Sequence, residues 1–201
     1  MVKKFFVALV ASMALSPAFA VLTFTLSENA GDVVLTASGS LDTTGLVVGL
    51  PFSCASGQGG VNAGGVGLCV GAASATPYTG STGPMTGPVS IGAGGDIFAT
   101  STSGDSVFLI RPTGQVALPL SYVSGSPVSG TATFAGATLA SLGVTPGTYT
   151  WALPTVGGSA ESIVLLAGAP ATSVPTLGEY ALLALAGLLV LGTLPMLRGR
   201  T

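Results

Sequence analysis

Residues 180–197 read YALLALAGLLVLGTLPML, without one charged side chain. As a helix rising about 1.5 Å per residue, 18 residues span roughly 27 Å, close to the bilayer's hydrocarbon thickness of about 30 Å. Arg198 and Arg200 follow at once, the basic flank expected on the cytoplasmic side of a membrane stop. A core helix of a soluble domain keeps a polar face, and this run has none. It predicts a single transmembrane helix over 180–197 with a basic cytoplasmic tail, 198–201. Whatever precedes it then lies across the inner membrane, on the outer side.

The other end of the chain agrees. Lys3 and Lys4 make a positive n-region, residues 5–15 an apolar h-region, and Ala18-Phe19-Ala20 a small-x-small cleavage site. Residues 1–20 are therefore read as a secretory signal peptide cut after Ala20, with Ala18 and Ala20 as the cleavage determinants and Val21 as the new N-terminus. An uncleaved anchor would need a longer apolar core.

Just before the apolar run stands Val174-Pro175-Thr176-Leu177-Gly178-Glu179-Tyr180. Motif, span and basic tail in that order resemble the IPTL-CTERM sorting signal, a relative of the bacterial PEP-CTERM signals that exosortase-type membrane peptidases recognise. The family usually begins Ile-Pro-Thr-Leu and carries Trp-Gly where this chain has Tyr180-Ala181. The resemblance implies a sorting motif of Val174, Pro175, Thr176, Leu177 and Glu179, and an exosortase-type sorting peptidase as partner. The residues suit that role. Pro175 lacks an N–H and biases Val174 towards an extended backbone, the form in which peptidases bind substrates. Glu179 would begin the helix, where a carboxylate favours the positive end of the macrodipole. An ordinary permanent anchor needs only apolar length and basic flanks.

With both membrane-directed ends set aside, residues 21–169 are one domain's worth of chain, and 170–179 form a spacer and sorting motif. Residues 21–173 carry Glu28, Asp32, Asp42, Asp96, Asp105 and Glu161 against Arg111 alone, a net of −5. Nucleic acid and anionic lipid are poor partners for such a surface. Sparse charge with abundant Gly, Ser and Thr suits an extracellular β-protein. Disordered chains combine low hydrophobicity with high net charge, and only the middle of this one fits that description.

Leu22, Phe24 and Leu26 alternate with Thr23, Thr25 and Ser27, and Val33, Leu35 and Ala37 repeat the pattern after the turn residues Asn29-Ala30-Gly31-Asp32. A period of two buries one face of a sheet, so this is a predicted β-hairpin, with 45–50 as a candidate third strand. In residues 51–95 no apolar period survives for long. This Gly/Ser-rich region reads as long surface loops crossed by short strands. Cys54 and Cys69 lie inside it. Two cysteines in an exported chain usually pair. The Cys54–Cys69 disulfide would close a loop worth about 3 kcal/mol in the chain-entropy model. Beyond residue 97, 106–110 and 115–118 flank a Pro-Thr-Gly turn and predict a second hairpin. Residues 138–144 read as one helical turn, and Tyr149, Trp151 and Leu153 alternate along a further strand before a last one at 161–167. Repeated short strands between Gly/Pro turns give the expected fold class: all-β, a mostly antiparallel β-sandwich-like ectodomain.

The run SYVSGSPVSGTATFAGATLASLGVTPGTYTW followed by ESIVLL, over about residues 121–166, looks like the C-terminal half of common PEP-CTERM ectodomains; GSLDTTGL at 39–46 resembles them more weakly. Such proteins are surface or matrix proteins of Gram-negative bacteria, mostly without assigned activity.

Catalytic chemistry is hard to find. The chain has no histidine for general-base or metal work, and no Ser sits in G-x-S-x-G. Asp96 and Asp105 lie in GAGGD and SGD contexts, one irregular pair rather than a Ca²⁺-binding repeat array, and Asx-turns account for both. No catalytic residue, metal ligand or cofactor is assigned. Tyr122, Tyr149 and Trp151 could stack on sugar rings, although the alternation around Trp151 favours core packing. The expectation is an exported surface or extracellular-matrix protein with no catalytic activity, anchored with a periplasmic ectodomain and then sorted to the cell surface or medium. The alternatives are a carbohydrate-binding module of an exopolysaccharide matrix and an anchored hydrolase. An exposed aromatic platform on one sheet face would favour the module. A concave pocket with two facing carboxylates would favour the hydrolase.

Overall fold

The computed structural model describes residues 21–54, 57–155 and 160–168. The signal peptide with Ala18 and Ala20, the sorting motif Val174, Pro175, Thr176, Leu177 and Glu179, the span at 180–197, and Arg198 and Arg200 lie outside them. Among the described residues no helix is long and apolar enough to cross a membrane.

The described chain is all-β. One sheet has six strands in the order β12-β13-β1-β2-β11-β8: Gly147–Leu153, Glu161–Ala167, Leu22–Asn29, Asp32–Gly39, Val128–Phe134 and Ser101–Gly104. The other has seven, β3-β6-β10-β9-β5-β4-β7: Val47–Val48, Ala75–Thr79, Gln115–Pro119, Val107–Ile110, Gly67–Val70, Gly60–Asn62 and Asp96–Phe98. Neighbouring strands run antiparallel, except that β1 lies parallel to β13 with Leu22 opposite Ile163. The first sheet is therefore mixed.

Alternation explains the layers. Leu22, Phe24 and Leu26 of β1, Val33 and Leu35 of β2, and Ala132 and Phe134 of β11 share one buried cluster with Leu68 and Val70 of β5, Leu109 of β9, and Val116 and Leu118 of β10. The two sheets thus bury one face each in a common core, the β-sandwich principle. Glycine permits their closest approach. A Cβ on Gly130 of β11 would stand 2.8 Å from Val70 Cγ2 of β5, and one on Gly59 would stand 2.7 Å from Ala132 Cβ.

Both expected hairpins are present, β1–β2 and β9–β10. The candidate strand at 45–50 narrows to Val47–Val48 on an edge. At 138–144 a single turn forms, in which Leu142 N–H donates to Thr138 O at 3.0 Å. Residues 51–95 depart most from expectation. They supply β4, β5 and β6 and bury Val61, Leu68, Val70, Ala75, Met85 and Ile91. The strands are three to five residues long, and two of their outward positions, Gly60 and Gly67, are glycine, so the apolar-polar rhythm is lost in the sequence although the inward residues are ordinary core.

Candidate functional site

The outer face of the seven-stranded sheet carries two cross-strand rows. In the first, Phe98 pairs with Gly60 and Gly60 with Cys69, then Cys69 with Phe108 and Phe108 with Ala117. In the second, Asp96 pairs with Asn62 and Asn62 with Gly67, then Gly67 with Ile110. Over the first row lies a strap. Phe52 exchanges both backbone hydrogen bonds with Ala75, at 3.0 and 2.9 Å, and its ring packs on Phe108 with centroids 5.7 Å apart. Cys54 is disulfide-bonded to Cys69, their Cα atoms 6.2 Å apart, within the usual range. Phe52, Cys54 and Ile110 thereby cover a small second apolar cluster of Cys69, Ala75, Phe108 and Ala117.

Where the strap ends, the rows reach Gly60 and Gly67, and two diagonal positions on β4 and β5 have no side chain. The result is a cleft of about 420 Å³, within the range of small-molecule sites. The disulfide, Ile110 and Pro112 wall one side, and Phe98 and Asp96 stand on the other. Phe98 is 54% exposed; its Cδ1 would lie 3.7 Å from a Cβ at Gly60, so the ring rests on the strand where a side chain is missing. Asn62 Nδ2 donates to Asp96 Oδ1 at 2.8 Å, and Asn62 Oδ1 accepts the Gly65 N–H at 2.7 Å. The second Asn62 amide hydrogen and Asp96 Oδ2 have no protein partner among the described residues.

The β4–β5 turn that sets this wall is strained. Val66 has φ +53°, an outlier for a β-branched residue. Complete burial of its side chain holds it there, as does its carbonyl, which accepts the Arg111 N–H at 3.0 Å.

The aromatics considered for sugar stacking are otherwise engaged. Trp151 is fully buried, Tyr149 donates from its hydroxyl to Thr145 O at 2.8 Å, and Tyr122 both donates to Leu41 O and accepts from Leu41 N–H at 2.8 Å. Phe98, the exposed aromatic among the described residues, carried no sequence signal beyond its place two residues after Asp96. Asp96 and Asp105 do not form local Asx-turns as their main contact. Asp96 holds Asn62, 34 residues away, and Asp105 Oδ2 accepts the Ser129 N–H, 24 residues away. No group of three His, Cys, Asp or Glu side chains converges among the described residues.

A second polar site joins three separated segments. Ser124 Oγ donates to Asp42 Oδ1 at 2.6 Å, Thr44 N–H donates to the same oxygen at 2.9 Å, and Thr43 N–H donates to Ser124 Oγ at 2.9 Å. Asp42 N–H donates to Glu161 Oε2 at 3.2 Å. Segments 39–46 and 121–125 thus meet with Glu161 in one corner. The Ser124 hydroxyl, then Thr44, holds the Asp42 carboxyl below its ordinary value. Burial, reinforced by the Asp42 charge, raises Glu161 against the opposing Asp42 N–H; burial likewise pushes the Tyr122 phenol up.

The linkage signs oppose one another. Asp42 contributes stability that is present above its ordinary pKa and is lost as pH falls through its folded value. Glu161 contributes a penalty that is present above its raised folded value and vanishes below its ordinary one. Glu161→Gln should therefore stabilise the protein more at pH 7 than at pH 4. The gain should be below about 1 kcal/mol, since the carboxylate keeps much of its solvation. Urea denaturation of both forms at the two pH values checks this; an equal or larger gain at pH 4 contradicts it.

No protein-family model, no curated protein and no solved structure matches this chain, so the cleft and the corner stand on their geometry alone.

Proposed function

We propose that the chain is an exported surface or extracellular-matrix protein with no catalytic activity of its own. On this reading it is held at the inner membrane by its C-terminal span and then released or sorted by an exosortase-type peptidase acting near Val174-Pro175-Thr176-Leu177. The observation that carries the reading is the Cys54–Cys69 disulfide, a bond that persists in oxidising compartments and is rare in the cytosol. It agrees with the Lys3-Lys4 leader, the Ala18-x-Ala20 site and the near absence of charge between the two membrane-directed ends. Sugar hydrolysis is poorly served. Among the described residues the cleft has Asp96 as its one carboxylate, whereas most glycosidases use a facing pair.

The test is the mass of the mature protein. Intact-mass analysis of protein from the native envelope and medium should show Val21 as the first residue and a C-terminus near 174–177. Replacing Pro175 and Thr176 with Ala should leave membrane insertion intact and abolish processing. A mature protein that still ends at Thr201 would leave only a permanent anchor.

A second reading, a carbohydrate-binding module of an exopolysaccharide matrix, is favoured by one observation: an exposed Phe98 beside a hydrogen-bonded Asn62–Asp96 pair in a glycine-floored cleft.

A further inference from the structure

We propose that this cleft is a binding site for a neutral hexopyranose chain, with Phe98 as the stacking face and Asn62 and Asp96 as the hydroxyl-binding pair. The inference rests on the carbohydrate-binding reading and gives it a location.

Four features select the ligand class. First, glycine at 60 and 67 keeps the floor low: the Phe98 ring and the Asn62 Cβ lie 3.7 and 3.3 Å from where a Cβ would stand at each, so both ligand-facing groups sit close against the sheet. Second, the Phe98 ring rests over Gly60 and is 54% exposed; an aromatic face open to solvent suits the C–H face of a pyranose. Third, the polar pair is bound in place. The Asn62 carbonyl oxygen is held by Gly65 N–H and its amide nitrogen by Asp96 Oδ1, which leaves one amide donor and one carboxylate acceptor in fixed relation. Adjacent ring hydroxyls, each both donor and acceptor, match that pair. Fourth, charge excludes the competitors. Asp96 repels anions, no Lys or Arg side chain lines the cleft among the described residues, and a single carboxylate with one amide is a weak cation site.

The pairing follows from register. Asp96 and Phe98 stand on the edge strand β7, opposite Asn62 and Gly60 of β4. Stacking face and hydroxyl pair are therefore two residues apart on the same side of one strand, about 7 Å. That separation lets a single ring meet both.

The experiment is calorimetric titration of the full-length oxidised protein with cellohexaose, laminarihexaose and maltohexaose, in an amine-oxide detergent so that no sugar headgroup competes. At least one hexaose should bind. Phe98→Ala should weaken that binding about tenfold and Asp96→Ala by a similar factor, while Phe98→Trp retains it. Both positions are exposed, so the variants should keep the wild-type fold, which thermal unfolding verifies. Binding that neither alanine variant weakens would place the sugar elsewhere, overturning the cleft assignment but not the carbohydrate reading. No binding of any hexaose would overturn both, and would leave the exported-protein reading to its own test at the termini.

Discussion

Trp151→Ala should destabilise the protein by about 3–5 kcal/mol, the usual cost of emptying a buried indole position. Trp151 is fully buried, it stands on the edge strand of the six-stranded sheet, and its Nε1–H donates to Pro88 O at 2.8 Å. The loop it holds also pairs with the strand itself, through Thr86 and Ala152, which exchange backbone hydrogen bonds at 3.0 and 3.1 Å. Gly87 lies against the indole so closely that a Cβ there would stand 2.7 Å from Cδ1. The Tyr149 ring stacks alongside, with centroids 6.3 Å apart. Alanine would remove the packing that ties residues 86–88 to the sheet edge and leave the Pro88 carbonyl without its donor. Trp151→Phe separates the two effects. It keeps most of the apolar volume and loses the hydrogen bond, so it should cost about 1–2 kcal/mol. Urea denaturation measures both. A loss below about 1 kcal/mol for Trp151→Ala would mean that the loop collapses onto the vacated site and that the indole is not the anchor.

The indole position was legible in the sequence because Thr148, Thr150 and Ala152 mark the opposite face of its strand. The same holds for β1 and β2, where threonine and serine alternate with Leu and Val. Legibility failed between residues 51 and 95, for a reason that also bears on function. The inward residues there, Val61, Leu68 and Val70, are as buried as any in β1. Their outward neighbours Gly60 and Gly67, however, give no polar beat against which an apolar one could be heard. The glycines that conceal the strands are those whose missing side chains form the cleft. The register that sets Phe98 opposite Gly60, and Asp96 opposite Asn62, joins segments more than 30 residues apart, a pairing that local pattern does not encode. Asp42, Ser124 and Glu161 converge by the same kind of long-range closure. The disulfide was legible because it needed only two cysteines and the expectation of export.

Replacing both Cys54 and Cys69 with Ala should cost about 3 kcal/mol and lower the midpoint of thermal unfolding by about 6–12 °C. The closed loop spans a sequence separation of 15, and in the chain-entropy model the loss comes from a freer unfolded state. The folded strap has other attachments. Phe52 stays bonded to Ala75 and packed on Phe108, and Gly57 N–H donates to Cys54 O at 2.8 Å. The native strap should therefore survive, and with it most of the cleft wall. Two measurements separate the entropic account from a structural one. The dependence of unfolding free energy on urea should steepen, because an uncrosslinked unfolded chain exposes more surface. Hydrogen exchange at the Phe52 and Ala75 amides should remain as slow, relative to global unfolding, as in the oxidised protein. Selective loss of protection at those two amides would show instead that the disulfide holds the folded strap in place. In that case the wall opposite Phe98 would depend on the redox state, and reduced protein should bind hexaose more weakly than oxidised protein.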